Sequence, residues 1–159
     1  MDTYISKSEK DTINFAKDFA KNLKVGDVIV LSGELGSGKT KFVQGILENF
    51  GMANEISSPT FTIVNEYNSP TINIYHFDVY RLEDSDEFYA IGGDEYFSQG
   101  ICIIEWGEMI EDVLPKPYTK ITFSKNNDDV NYRELKIEKI ERNWFFNENS
   151  CNRYIFSSL

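Results

Sequence analysis

Soft metal ligands are nearly missing from this chain of 159 residues, which has two cysteines, Cys102 and Cys151, and one histidine, His76. The cysteines form no C-x-x-C pair, which argues against a disulfide framework and a cysteine zinc site. A lone imidazole excludes a histidine-cluster site. Any metal used here is then a hard cation held by oxygens. Long apolar runs are missing too, since none approaches the ~20 residues that span a bilayer. The opening residues, MDTYISKSEK, lack the apolar core of a signal peptide. The expectation is a cytoplasmic protein with no membrane partner. Positive charge is scarce in the middle of the chain. Residues 45–112 hold 14 acids and a single base, Arg81, whereas residues 1–40 hold six of each. Residues 113–159 hold six acids and eight bases, and the whole chain carries −10. A field of that sign repels phosphate backbones, so strong direct binding to nucleic acid is not expected.

What is present suits a folded chain. Hydrophobic residues make up 41% and charged residues 26%, the proportions of a globular protein, and the length fits about one domain of ~150 residues. Ser6 to Glu9 reads as an S-x-x-E capping box. Phe15, Ala16, Phe19, Ala20 and Leu23 then recur at helical spacing, which predicts a helix over about 8–23. Val28 to Leu31 is a β-branched apolar run, the pattern of a buried strand. A glycine-rich loop follows at 33–38. Phe42, Val43, Ile46, Leu47 and Phe50 share one face of a second helix over 39–50. Residues 61–67 and 71–80 read as two strands around Asn68-Ser69-Pro70. Residues 84–97 read as short helical pieces broken at Gly92-Gly93, and 101–104 as another buried strand. Residues 119–124 and 131–138 alternate apolar and polar around Asn126 to Asp129, which predicts an edge hairpin. Trp144, Phe145, Phe146, Tyr154 and Phe156 in the tail show no period and carry no functional reading.

Gly33-Glu34-Leu35-Gly36-Ser37-Gly38-Lys39-Thr40 fits G-x-x-x-x-G-K-[ST]. Glycines let such a loop turn through positive φ and bring its backbone against a ligand. Successive N–H groups then form an anion nest, and the dipole of the following helix adds to it. Lys39 would reach the β/γ-phosphates, and the Thr40 hydroxyl would hold Mg²⁺. The loop lies between a predicted strand and a predicted helix, which is the context the motif needs.

A nucleotide site also needs a carboxylate, for the metal or for the attacking water. Two acids end apolar strands: Asp78, in Ile74 to Arg81, and Glu105, directly after Ile101 to Ile104. Strand ends are where open α/β sheets place ligand chemistry. Alternation puts His76, Asp78 and Tyr80 on one face. Ser57-Ser58-Pro59-Thr60 precedes a strand and reads either as an ordinary turn or as a switch loop that senses the γ-phosphate. His76 reads more readily as a packing residue than as a catalyst. Trp106 reads as pocket lining or as core, and Arg81 as a partner of nearby carboxylates or of phosphate.

Several nucleotide-binding classes are tested by what is missing. The chain has neither N-K-x-D nor D-x-x-G, which GTPases use, and no L-S-G-G-Q segment. Its four arginines, at 81, 133, 142 and 153, do not cluster as a kinase lid requires. An adenine-nucleotide switch or ATPase remains, with a small P-loop kinase or a nucleotide-gated binding module as alternatives.

Four segments in order, Glu34 to Thr40, Ser58 to Thr62, His76 to Leu82 and Ile104-Glu105-Trp106, resemble the TsaE family, the bacterial ATPases of tRNA threonylcarbamoyladenosine biosynthesis. The resemblance covers about residues 5–125. It implies an α/β fold, a P-loop NTPase-like three-layer sandwich with a mixed, partly parallel sheet, over a domain of residues 1–140; residues 141–159 are a tail that the family motifs do not reach. It also implies weak, Mg²⁺-dependent hydrolysis of ATP to ADP in service of the TsaB–TsaD pair, which performs the transfer itself. By the same resemblance Lys39 and the loop residues Glu34, Leu35, Gly36, Ser37 and Gly38 bind the phosphates, and Thr40 and Glu105 serve Mg²⁺. Asp78 acts at the metal or on the attacking water, Thr60 belongs to the switch loop, Trp106 lies near the nucleotide, and Thr12 lies beside the adenine.

Overall fold

The apolar run at 28–31 forms β2 (Val28–Ser32), whose five residues are all buried. The computed structural model describes residues 1–57, 59 and 62–141, and it sets β2 in the middle of a seven-stranded sheet. On one side β2 pairs in parallel with β5 (Ile101–Glu105), and β5 pairs in parallel with β4 (Asn73–Asp78). On the other side β2 pairs in parallel with β6 (Tyr118–Lys125). Antiparallel strands flank this centre: β3 (Val64–Asn68) beside β4, then β7 (Arg133–Ile140) beside β6, and β1 (Asp2–Ser6) beside β7. The sheet is mixed and partly parallel, as the family resemblance implies.

Alternation along the central strands feeds two cores. Ile29, Leu31, Ile101 and Ile103 point to one face, where they meet α1 (Glu9–Ala20) and α2 (Lys39–Asn49) through Ala16, Ala20, Phe42, Ile46 and Leu47. Val28, Val30, Cys102 and Ile104 point to the other, against Phe88 of α3 (Ser85–Ala90) and Ile110 of the 3₁₀ segment Gly107–Val113. The result is three layers. Each fully buried Ile, Leu or Phe contributes roughly 1.5–3 kcal/mol relative to exposure. A second 3₁₀ segment, Gly93–Ser98, follows Gly92, whose φ of 72° breaks the helical path as the Gly92-Gly93 pair suggested. Among the described residues no helix is long and apolar enough to cross a membrane.

Two expectations are corrected. The hairpin β6–β7 is not at an edge: β6 adjoins β2, and β1 covers β7 with Asp2 to Ser6 opposite Ile137 to Arg133. Tyr4 of β1 stacks on Phe15 of α1 at 4.0 Å, so the strand is drawn onto the first core. The first helix is capped at Ser8, not Ser6. The Ser8 hydroxyl accepts from the Asp11 N–H at 3.0 Å. Ser6 is buried instead, with its hydroxyl donating to the Ser8 carbonyl at 2.8 Å and 2.7 Å from the Thr12 hydroxyl. The tail from residue 142 onward lies outside the described residues.

Gly45 lets α2 approach α1 closely. A Cβ there would lie 2.4 Å from the Ile13 carbonyl oxygen and 2.5 Å from Ala16 Cβ. Gly45→Ala is expected to cost about 1–3 kcal/mol by overpacking. Thermal unfolding checks it, with a fall of about 2–4 °C per kcal/mol; an unchanged midpoint would mean that the helices can move apart freely.

Candidate functional site

The parallel centre of the sheet points β2, β5, β4 and β6 the same way, so Ser32, Glu105, Asp78 and Lys125 all come to one edge. Register sharpens this, because Leu31 and Asp78 both lie beside Glu105. The chain leaves β2 at that edge through Gly33, where it has little room. A Cβ at Gly33 would meet Ser37 Oγ at 2.7 Å and the Phe123 carbonyl at 2.9 Å. Gly36 and Gly38 complete the turn with φ of 72° and 108°, and α2 starts at Lys39. A strand, a tight glycine turn and a helix N-terminus therefore follow one another as an anion site requires.

A cavity of about 340 Å³ opens beside this loop. Leu35, Gly36, Gly38, Lys39 and Thr40 line it from the loop, and Asp78, Glu105 and Trp106 from the strand ends. Ser8, Glu9 and Thr12, at the start of α1, line it as well, and so do Val130, Asn131 and Arg133 where the chain enters β7. Glu34 and Ser37 lie behind the loop, lining a separate cleft with Phe123, Ser124, Lys125 and Asn127. Thr60 lies outside the described residues. The strand after it is nonetheless tied to its approach. The Tyr67 hydroxyl accepts from the Ser57 N–H and donates to the Ser57 carbonyl, both at 3.1 Å, and Asn65 Nδ2 donates to the same carbonyl at 3.0 Å. Arg81 is exposed and is not part of the cavity lining.

Lys39 is only 8% exposed, so its ammonium needs partners. It donates to the Gly33 carbonyl, lies 3.9 Å from Glu105 Oε2, and sits 5.5 Å from the Trp106 ring centre. The aromatic face and the carboxylate both favour a cation there. Glu105 Oε1 accepts from His76 Nε2 at 2.8 Å, and His76 is 1% exposed. His76 is thus a buried partner of a candidate site carboxylate, a role that strand alternation alone does not show. The other imidazole nitrogen, Nδ1, has no hydrogen-bond partner among the described residues. Trp106 holds a left-handed backbone, φ 63°, at the start of the 3₁₀ segment, and its ring meets Tyr80 at 4.7 Å. Next along the chain, Gly107 packs on Val30 and Glu108 accepts from the Ser32 hydroxyl at 3.1 Å.

The possible chemistry is bounded by donor type. No cluster of three or more His, Cys, Asp or Glu suited to a metal occurs among the described residues. The oxygens of Thr40, Asp78 and Glu105 line the cavity, and they suit a hard cation that takes its other ligands from phosphate and water. Burial pushes the Cys102 thiol up to about 12, which removes it as a nucleophile near neutral pH.

Comparison with known proteins follows the same lines. A family model described as threonylcarbamoyl adenosine biosynthesis protein TsaE matches residues 6–135. The TsaE of Bacillus subtilis strain 168 is 45% identical over 121 residues, covering 76% of this chain and 75% of its own length. The TsaE of Rickettsia typhi is 44% identical over 132 residues, covering 82% of this chain and 92% of its own. A crystal structure of Bacillus subtilis YdiB superposes with a TM-score of 0.68 at 38% identity, over 84% of this chain and 81% of that one.

His76→Phe keeps a ring but removes the donor to Glu105. Loss of a hydrogen bond to a charged group is expected to lower stability by about 1.5–3 kcal/mol. Chemical denaturation checks it, and a variant as stable as the parent would mean that the pair contributes no net stability.

Proposed function

This chain belongs to the TsaE family of threonylcarbamoyl adenosine biosynthesis proteins, and from that premise we propose that it is a cytoplasmic Mg²⁺-dependent ATPase subunit serving the TsaB–TsaD pair in tRNA modification, and not the transferase. One observation carries the reading: Lys39, Thr40, Asp78, Glu105 and Trp106 come from three separate segments and line one cavity at the carboxyl edge of the sheet.

In this reading the backbone of Glu34, Leu35, Gly36, Ser37 and Gly38 receives the phosphates of ATP. Lys39 exchanges the Gly33 carbonyl and Glu105 for β/γ-phosphate oxygens, so the anion replaces partners that already hold the ammonium in place. Thr40 and Glu105 hold magnesium, which when bound spreads the negative charge of the phosphates. His76 keeps the Glu105 carboxylate facing the cavity. Asp78 acts at the metal or orients the attacking water. Thr12 lies at the adenine end, Trp106 lies near the nucleotide, and Thr60 acts from the switch segment. The acidic block at 45–112 suits docking to protein and disfavours bare RNA.

The test is phosphate release from Mg-ATP, by this chain alone and then with TsaB–TsaD added. Slow release alone and clear stimulation by the pair are expected. Lys39→Ala should abolish nucleotide binding. Asp78→Ala and Glu105→Ala should retain binding while turnover falls by about a hundredfold or more, the scale on which loss of one electrostatic contact to the transition state is felt. Normal turnover in both acid variants would contradict the site assignment, and transfer of the γ-phosphate to another molecule would favour a kinase.

A further inference from the structure

Two cations outside the motif hydrogen-bond to the glycine-rich loop: Lys125, which lines the cleft beside Glu34 and Ser37, and Arg133, which lines the main cavity. Lys125 is the last residue of β6 and Arg133 the first of β7, and the two face each other as a cross-strand pair. Because β6 runs parallel to β2, this end of the hairpin arrives beside the loop that leaves β2. Lys125 Nζ donates to the Leu35 carbonyl at 2.6 Å, and Arg133 Nη2 donates to the Gly36 carbonyl at 3.2 Å. Arg133 Nη1 also donates to the Val130 and Tyr132 carbonyls, both at 2.7 Å, which ties the hairpin tip to the loop.

Resting on the reading that this loop binds nucleotide phosphates, we propose that Lys125 and Arg133 are positioning residues that hold two consecutive loop carbonyls and so fix the shape in which the loop meets phosphate. The reason lies in the peptide unit. The Leu35 carbonyl and the Gly36 N–H are opposite ends of one planar group. Fixing the oxygen on the hairpin side directs the N–H to the other side, and a cation on the oxygen polarises the group so that the N–H becomes a better donor to an anion. Arg133 acts one unit further on. It holds the Gly36 carbonyl, whose opposite N–H, that of Ser37, is given to the Glu34 carbonyl at 3.1 Å, so Arg133 acts by fixing this turn and not by presenting an amide. The loop has little else with which to fix itself there: Leu35 is 93% exposed, and Gly36 has no side chain. The pair also brings two positive charges to the loop of a chain whose net charge is −10, and Arg133 brings its charge to the cavity wall.

The test is metal-free titration of the full chain with a fluorescent ADP analogue, with inorganic pyrophosphate as competitor. Lys125→Met and Arg133→Met are each expected to weaken both ligands about tenfold, the scale of a charge-assisted hydrogen bond. Lys125→Arg and Arg133→Lys should recover most of that loss. Lys139→Met, an exposed change on the same hairpin, should bind as the parent does. Thermal melting verifies folding, and Lys125→Gln and Arg133→Gln replace any Met variant that does not fold, with severalfold weaker binding expected. Parent-like affinity in the folded variants would overturn the proposal while leaving the nucleotide reading intact. So would weaker binding of the ADP analogue with unchanged pyrophosphate affinity, which would place the effect at the base or ribose. A parent chain that binds neither ligand would overturn the nucleotide reading and the clamp together.

Discussion

A strand buried on both faces can offer a ligand only its ends, and β2 is such a strand. Its neighbours β5 and β6, and β4 beyond them, run parallel to it, so four strands end at one edge of the sheet. Side chains at that edge need not be apolar, because packing stops there. This is where Asp78, Glu105 and Lys125 occur, and where the chain turns through Gly33. The two cores hold the strands in register, and the register holds the carboxylates beside the loop. The α1–α2 contact at Gly45 belongs to the same frame, since α1 carries Thr12 to the cavity.

Electrostatics gives this edge its character. The chain is acidic overall, yet the cavity holds a nearly buried lysine, with carbonyl, carboxylate and aromatic partners around it. Those partners offset the cost of burying the charge. An incoming anion competes with groups already in place. Glu105 is in turn held by His76, so the arrangement extends from loop to ammonium to carboxylate to imidazole. From the β6–β7 hairpin, Lys125 and Arg133 hold the Leu35 and Gly36 carbonyls. The loop is thus held by its own Lys39 at Gly33 and by two hairpin bases, outside the motif, at Leu35 and Gly36.

Much of this was legible in the sequence because it depends on short-range pattern. Val28 to Leu31, Ile101 to Ile104 and the helical spacing of 42–50 identify β2, β5 and α2 by apolar periodicity alone. Asp78 and Glu105 stand out as acids closing apolar runs. Other features were hidden because they depend on pairing across long separations. β1 has only five residues and is held by β7, more than 120 residues away in sequence. Without that pairing, β6–β7 reads as an edge. The capping-box pattern points to Ser6, but Ser6 is buried against Thr12 and Ser8 caps the helix. Lys125 and Arg133 look like ordinary surface bases until β6 is placed beside β2. The partnership of His76 with Glu105 likewise spans two strands.

The central claim is that the loop at 33–40 takes a nucleotide's phosphates and that Lys39 changes partners when it does. A crystal structure of this chain with magnesium and a non-hydrolysable ATP analogue tests it most directly. The account predicts phosphate oxygens against the loop amides, Lys39 Nζ moved from the Gly33 carbonyl and Glu105 onto the β/γ-phosphates, and Asp78 and Glu105 facing the cation. A nucleotide bound elsewhere, or a Lys39 still on Gly33 and Glu105 beside a bound nucleotide, would contradict it.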